Sequence, residues 1–297
     1  MIAARLHSGL GNQMFQYAMV RRIQLQLKVE LKLDLSLLVD KADNGRFTQR
    51  EFSLNIFKLT PNYLVHPGIL KAAYAPGIRK WSNIVSRLTT LGYPVLEEKG
   101  LEVKKELIQA PLDNTIYRGY WQSEQYFVEF ADQIRDDFSF RENTLPVSRK
   151  LLKMISETES VCLNVRRKEF LQLPTHNVTN ERYFLRAVKF MLERRPDVVF
   201  FIFSDDIEWC RQTFRELNNK VIVSEEHYGE AYGNYLQLMM SCKHFIIPNS
   251  TFAWWAAWLG ESRGTLVITP KKWFGTDRYN YKDIVPERWV KIPNEPV

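Results

Sequence analysis

Two adjacent arginines, Arg166 and Arg167, leave an apolar stretch at residues 161–165 that reads as a strand. Their guanidinium groups would stand at the mouth of a sheet, where a diphosphate can take paired hydrogen bonds. The plainer reading is a solvated basic loop, and charge alone does not separate the two. Glu169 follows closely and is either a base or an arginine partner. Ser204-Asp205-Asp206 follows a second apolar strand. A carboxylate there can accept from a guanine edge or ribose hydroxyls, and Asp206 can instead cap the next helix. A divalent cation is the lesser reading, since further oxygen ligands are lacking nearby. In Ser8-Gly9-Leu10-Gly11-Asn12-Gln13 the glycines either close a tight turn or let backbone amides approach an anion. The run lacks both the Gly-Lys-Ser/Thr of a Walker loop and the third glycine of the dinucleotide fingerprint. Asn249-Ser250-Thr251-Phe252 opens a helix whose first amides suit a phosphate, with Ser/Thr as the cap. Trp254, Trp255 and Trp258 read as the core of that helix rather than as a sugar platform.

These residues need a scaffold of alternating strands and helices. Residues 2–6 form a strand, 12–27 a helix with Met14, Phe15, Ala18, Ile23 and Leu25 near one face, and 30–33 a second strand, a parallel βαβ start. Prolines punctuate residues 52–106 into short pieces. Residues 115–120 read as a strand and 125–138 as a helix; polar residues 141–150, with Pro146, form the best linker. The rhythm then restarts: strand 161–165, helix 180–193 opened by a Thr/Asn cap, strand 198–203, helix 207–217, strand 221–223, helix 235–242, strand 245–247, helix 251–259 and strand 266–268. The expectation is an α/β chain of two halves, 1–150 and 151–297, facing a cleft, with ligands outside the carboxyl ends of the strands.

The composition agrees. With 297 residues, 45% hydrophobic and 25% charged, the chain is globular and large enough for two domains, which excludes a disordered or collagen-like protein. A net charge of +7 favours an anionic partner without choosing it. Nucleic acid is not expected, because no RRM, KH or zinc-finger pattern accompanies the charge. Three scattered cysteines argue against a disulfide framework or a structural zinc site. The N-terminus lacks a charged segment followed by a long apolar one, and no apolar run reaches membrane-spanning length, so a cytoplasmic protein is expected. Residues 79–88 mix basic and apolar side chains and read either as a peripheral contact on the inner membrane face or as a helix packed on its own domain.

Four segments carry a family likeness that runs nearly end to end. Residues 10–18 (Leu-Gly-Asn-Gln-Met-Phe-Gln-Tyr-Ala), 119–127 (Gly-Tyr-Trp-Gln-Ser-Glu-Gln-Tyr-Phe), 203–210 (Phe-Ser-Asp-Asp-Ile-Glu-Trp-Cys) and 238–259, which contains Asn249-Ser250-Thr251-Phe252, resemble glycosyltransferase family 11, the α-1,2-fucosyltransferases. The resemblance implies a GT-B fold of two Rossmann-like domains. It also implies metal-free, inverting transfer of L-fucose from GDP-β-L-fucose to the 2-hydroxyl of a terminal galactose, with no cofactor. The implied catalytic residues are Arg166, Glu169 and Asn12. Implied donor contacts are Asn164, Arg166, Arg167, Asp205, Asn249, Ser250, Thr251, Phe252, Gly11 and Gln13, mainly in the C-terminal half; implied acceptor contacts are Trp121, Gln122, His7 and His176.

Arg166 and Arg167 match the family's HxRRxD motif, whose arginines are expected to stabilise charge on the departing GDP. Asn164, Lys168, Glu169 and Phe170 stand where that pattern has His, Gly, Asp and Tyr, and His7-Ser8 replace the usual Gln-Gly. An asparagine keeps a hydrogen bond but cannot titrate. Base candidates are Glu169 first, then His176 and His7. A noncatalytic nucleotide-sugar or glycan-binding homologue is the alternative that these departures leave open. The implied partners are GDP-fucose and a galactose-terminated oligosaccharide or lipid-linked precursor. The lack of a transmembrane stem suits the bacterial, soluble type.

Overall fold

The computed structural model describes residues 1–39, 50–73 and 92–294. The basic-apolar stretch at 79–88 lies outside the described residues. The chain divides into two compact units, Met1–Arg141 with Lys282–Ile284, and Glu142–Tyr281 with Val285–Val297.

The first unit is built on a five-stranded parallel sheet ordered β3(Asn62–Tyr63)-β2(Leu31–Asp34)-β1(Ile2–Arg5)-β5(Ile116–Arg118)-β4(Val95–Glu97). β1 is buried along its whole length, as a central parallel strand must be, and its one charged residue, Arg5, bonds Asp34 at the end of β2 at 2.6 Å. The helix Leu10–Leu27 that follows is buried on nearly every side, with Gln13, Gln16 and Arg22 enclosed beside Met14, Phe15 and Ile23. The single apolar face expected from sequence is therefore too narrow a description. Its buried polar groups hold neighbouring backbone: Arg22 Nη2 donates to the Ile108 carbonyl at 2.6 Å, and Gln16 and His7 exchange bonds at 3.0 and 3.3 Å. Lys28, at φ 56°, ends the helix in the left-handed region, its N–H bonded to the Gln24 carbonyl.

Residues 125–138 do not form one helix. Two 3₁₀ turns, Glu124–Tyr126 and Val128–Phe130, precede a helix at Ala131–Asp137. Phe127 and Tyr126 are buried, and the Tyr126 hydroxyl accepts the Lys104 amide at 2.9 Å, so aromatic anchoring overrides the helical period.

The second unit carries a six-stranded parallel sheet ordered β11(Val290–Ile292)-β10(Val267–Pro270)-β9(His244–Ile246)-β6(Ser160–Val165)-β7(Val199–Ser204)-β8(Lys220–Ile222). Val161, Leu163, Val165, Phe200 and Ile202 pack with Tyr183, Phe184, Ala187 and Met191 of the helix Glu181–Arg194. Asn180 caps that helix through Oδ1, which accepts the Tyr183 amide at 3.1 Å. The helix Thr251–Gly260 is apolar all round, and its tryptophans 254, 255 and 258 are buried, which confirms them as core. The helix expected at 207–217 stops at Thr213, and Phe214 turns into the core. Within the expected linker, a 3₁₀ turn at Pro146–Ser148 runs into the helix Arg149–Glu157.

Candidate functional sites at the two sheet edges

In the second unit the strand order reverses between β6 and β9: the chain steps outward through β7 and β8, then returns to β9, β10 and β11. The carboxyl ends of strands at such a reversal leave a crevice for ligand. Arg166 and Arg167 leave β6 there, Asp205 and Asp206 leave β7, and Asn249 to Phe252 follow β9.

Both arginines are held by carboxylates. Arg166 Nη2 bonds Glu169 Oε2 at 2.5 Å, and Nη1 lies 3.1 Å from Asp205 Oδ2. The latter contact lacks hydrogen-bond geometry, so it is purely electrostatic. Arg167 Nη1 bonds Asp206 Oδ2 at 2.9 Å, its backbone N–H bonds Asp205 Oδ1 at 2.8 Å, and its guanidinium lies 5.1 Å from the Trp209 ring centroid. Asp206 also caps the helix Ile207–Thr213, accepting the Trp209 amide at 3.3 Å. Two guanidinium groups thus face three carboxylates.

The remaining residues divide into framing and exposed groups. Asn164 is buried, and its Nδ2 donates to the Phe203 carbonyl at 3.1 Å, bracing β6 against β7. Asn249 Nδ2 donates to the carbonyls of His176 and Trp273 at 3.0 and 2.9 Å, while its buried Oδ1 has no partner among the described residues. Ser250 is the N-cap of the Thr251–Gly260 helix but makes no side-chain capping bond. The expected Ser/Thr cap is therefore absent, and the helix entrance keeps its first-turn amides clear of a capping side chain. Phe252 lies 6.5 Å from the half-exposed Tyr232, itself 4.9 Å from Tyr228. The His176 ring packs between Phe170 and Phe274, 5.4 Å from each; burial lowers its pKa while Glu169 opposes the shift. His176 therefore belongs to the unit of Glu169 and Asn249. Sequence reasoning did not assign Trp209 or Tyr228 to the site, although Trp209 stands inside the 203–210 motif.

The first unit has its own reversal, between β1 and β5. His7 to Gln13 follow β1, and Gly119 to Gln122 follow β5. These two segments meet: Gln122 Nε2 bonds Asn12 Oδ1 at 2.8 Å. Gln122 Oε1 is buried without a partner among the described residues, and no bond there engages Asn12 Nδ2. The pair presents one acceptor and one donor, the complement of a sugar hydroxyl. Gln13 has no free capacity comparable to this. Its Nε2 bonds the carbonyls of Ser8 and Glu51 at 2.8 and 2.9 Å, and its Oε1 accepts the Ser53 amide at 2.9 Å. Gly11 lies within the first turn of the buried helix.

Trp121 is fully buried at φ 53°, edge-on to Tyr117 and Tyr126, and its Nε1 has no partner among the described residues. Glu98, one residue past β4, takes the Tyr120 and Trp121 amides on Oε2 at 2.6 and 3.1 Å; burial raises its pKa to about 6 against these bonds and Lys104.

His7 is buried, 3.1 Å from Ser8 Oγ through Nδ1 and edge-on to Tyr120 at 4.8 Å. Burial, then the Arg118 charge, lower its pKa to about 4, so its ring is neutral at pH 7. The unfolded chain takes up this proton below about 6.5 while the folded chain resists until about 4, so stability falls as pH drops through that window. His7→Gln is expected to remove about 3 kcal/mol of the acid-side decline between pH 6.5 and 4. Melting curves of both proteins across that range provide the check; parallel declines would contradict it.

Among the described residues, no three His, Cys, Asp or Glu side chains gather as metal ligands, and no helix is long and apolar enough to cross a membrane.

Comparison with known proteins gives the family and the fold. A sequence model of glycosyl transferase family 11 matches residues 1–293. The chain is 29% identical over 297 residues to an α-1,2-colitosyltransferase of Escherichia coli, spanning 98% of each. It is 27% identical over 152 residues to galactoside α-(1,2)-fucosyltransferase 1 of Bos taurus, covering 48% of this chain and 42% of that one. Among solved structures, the fucosyltransferase NodZ from Bradyrhizobium superposes with a TM-score of 0.51 at 15% identity, covering 86% and 90% of the two chains. The fold is GT-B, with two Rossmann-like α/β units.

Proposed function

The chain belongs to glycosyl transferase family 11, and from that premise we propose that it moves L-fucose from GDP-β-L-fucose to the 2-hydroxyl of a terminal galactose, with inversion to an α-1,2 linkage. The observation that carries this reading is the clustering of the family motifs at the two strand-order reversals: an arginine pair beside an uncapped helix start in one unit, and a half-satisfied amide pair in the other.

The donor diphosphate takes Arg166 and Arg167 in place of their carboxylate partners, with the first amides of the Thr251–Gly260 helix as further donors. As the acceptor oxygen bonds to C1 of fucose, the bond from C1 to the β-phosphate oxygen breaks and charge builds on the departing GDP. The guanidinium groups meet that charge, so arginine cations do the work otherwise given to a divalent ion. Glu169, released from Arg166, is the carboxylate that receives the acceptor proton. Asn12 and Gln122 orient the galactose hydroxyls. His7, buried and neutral, supports the Tyr120 segment.

A second donor is favoured by one observation, the full-length likeness to a colitosyltransferase. Colitose lacks the 3-hydroxyl of fucose, so discrimination between the donors rests on whether a group in the second unit bonds that hydroxyl. An acceptor in the cytoplasm, free or lipid-linked, completes the proposed setting.

The test is GDP release from GDP-fucose in EDTA, with and without lactose or N-acetyllactosamine, beside GDP-colitose. Acceptor-dependent, EDTA-resistant release from GDP-fucose is expected. Release from GDP-colitose alone would transfer the assignment to that sugar, and GDP-fucose binding without turnover on any galactoside would favour a noncatalytic glycan-binding role.

A further inference from the structure

We propose that Glu98 is a positioning residue for the acceptor, holding the turn at 119–122 that presents Gln122 to Asn12; this rests on reading that amide pair as the acceptor site. Glu98 belongs to none of the motifs. It reaches the turn because β4 and β5 pair Glu97 with Arg118, and the Glu98 amide then bonds the Arg118 carbonyl at 2.8 Å. One oxygen, Oε2, receives two successive backbone N–H groups, from Tyr120 at 2.6 Å and Trp121 at 3.1 Å. Successive amides converging on one anion form a nest.

The nest explains an otherwise costly conformation. Trp121 sits at φ 53°, a region that bulky side chains avoid, and the anion compensates for it. Gly119 makes the approach possible: a Cβ there would run into Glu98 and come within 2.8 Å of the Trp121 indole. The Trp121 carbonyl accepts the Ser123 amide at 2.8 Å, so Gln122 stands between two pinned residues and meets Asn12. Around Glu98 the charged and titratable groups are Lys104, whose cation favours the carboxylate, Glu106 and Lys99, the Tyr126 hydroxyl, and the mutually paired Glu97 and Arg118. Glu98 also lines a cavity of about 560 Å³ with Leu96, Lys99, Lys104, Leu107 and Trp121, which gives solvent protons a route to it.

Hydrogen bonds to an ionised oxygen are roughly twice as strong as neutral ones, so protonation weakens both nest bonds together. Burial places that protonation near pH 6. Glu98→Gln imitates the protonated form at every pH, keeping an acceptor oxygen and losing the charge.

The experiment measures acceptor KM and kcat on N-acetyllactosamine from pH 5 to 8 for wild type and Glu98→Gln, together with donor KM, acceptor-free GDP release and melting temperature. The wild-type acceptor KM is expected to rise roughly fivefold to tenfold below pH 6, and the variant's to be raised by a similar factor at pH 7.5 and flat with pH. Donor KM and acceptor-free release should stay within about twofold, and the melting temperature should shift by only a few degrees, because weaker nest bonds and the relieved desolvation of a half-buried charge oppose each other. A variant whose acceptor KM equals wild type at pH 7.5, or follows its pH profile, overturns the inference alone. Wild-type protein that transfers to no galactoside removes the functional reading and this inference with it.

Discussion

Arg166→Ala is expected to lower kcat for transfer by about 10²–10³, the usual loss when one preorganised donor to a developing anion is removed. Two carboxylates beside Arg166 make the effect larger than one hydrogen bond. Arg166 lies against Glu169 and Asp205, and its removal leaves those carboxylates facing the place where the diphosphate must sit. Donor KM should therefore rise as well. Arg166→Lys should recover only part of the activity, because an ammonium cannot reproduce the planar fork of a guanidinium. Stability should change little: Arg166 is 34% exposed, and a partly exposed pair contributes at most about 1 kcal/mol. A variant that loses turnover but keeps its melting temperature within a few degrees supports a chemical role. Equal loss of both would mean that the ion pairs chiefly hold the loop after β6.

Gln122→Ala is expected to raise acceptor KM by roughly tenfold or more, the cost of one good hydrogen bond plus a neighbour left unsatisfied. Asn12 Oδ1 loses its 2.8 Å donor, and the buried acceptor Gln122 Oε1 is gone. Asn12→Ala should give a similar loss from the other side of the pair. Because the two side chains act together, Asn12→Ala with Gln122→Ala should be scarcely worse than either alone. Acceptor-free release of GDP should be unaffected in all three, since the arginines, Glu169 and the Thr251–Gly260 helix belong to the other unit. Additive losses in the double variant would mean that the residues serve separate contacts.

Much of this was legible in the residues. The apolar β6 and β7, the Asn180 cap and the three core tryptophans follow from local pattern, because long buried strands and helices carry their period in sequence. β3, β4 and β11 did not, since two or three residues cannot establish a period. The aromatic anchors Tyr126 and Phe127 broke a helix that periodicity favoured. At the site, the arginines and the Asn-Gln segment were visible as residue types placed after strands. So was Glu169, three residues from Arg166, as an arginine partner, whereas Asp205 and Asp206 reach the arginines only through the pairing of β6 with β7. The Asn12–Gln122 bond joins residues 110 apart in the chain. Glu98 carries no signal in sequence at all, because its role depends on register with β5 and on the left-handed turn at Trp121.

The central claim is a specific bond, and the product carries it. Incubation with GDP-β-L-fucose and N-acetyllactosamine, followed by NMR of the purified trisaccharide, reads the anomeric configuration and the linkage together. An α-configured fucose with its anomeric carbon correlated to C2 of galactose is the expected product. Fucose on another carbon, a β-anomer, or a product formed only from a different nucleotide sugar would contradict it.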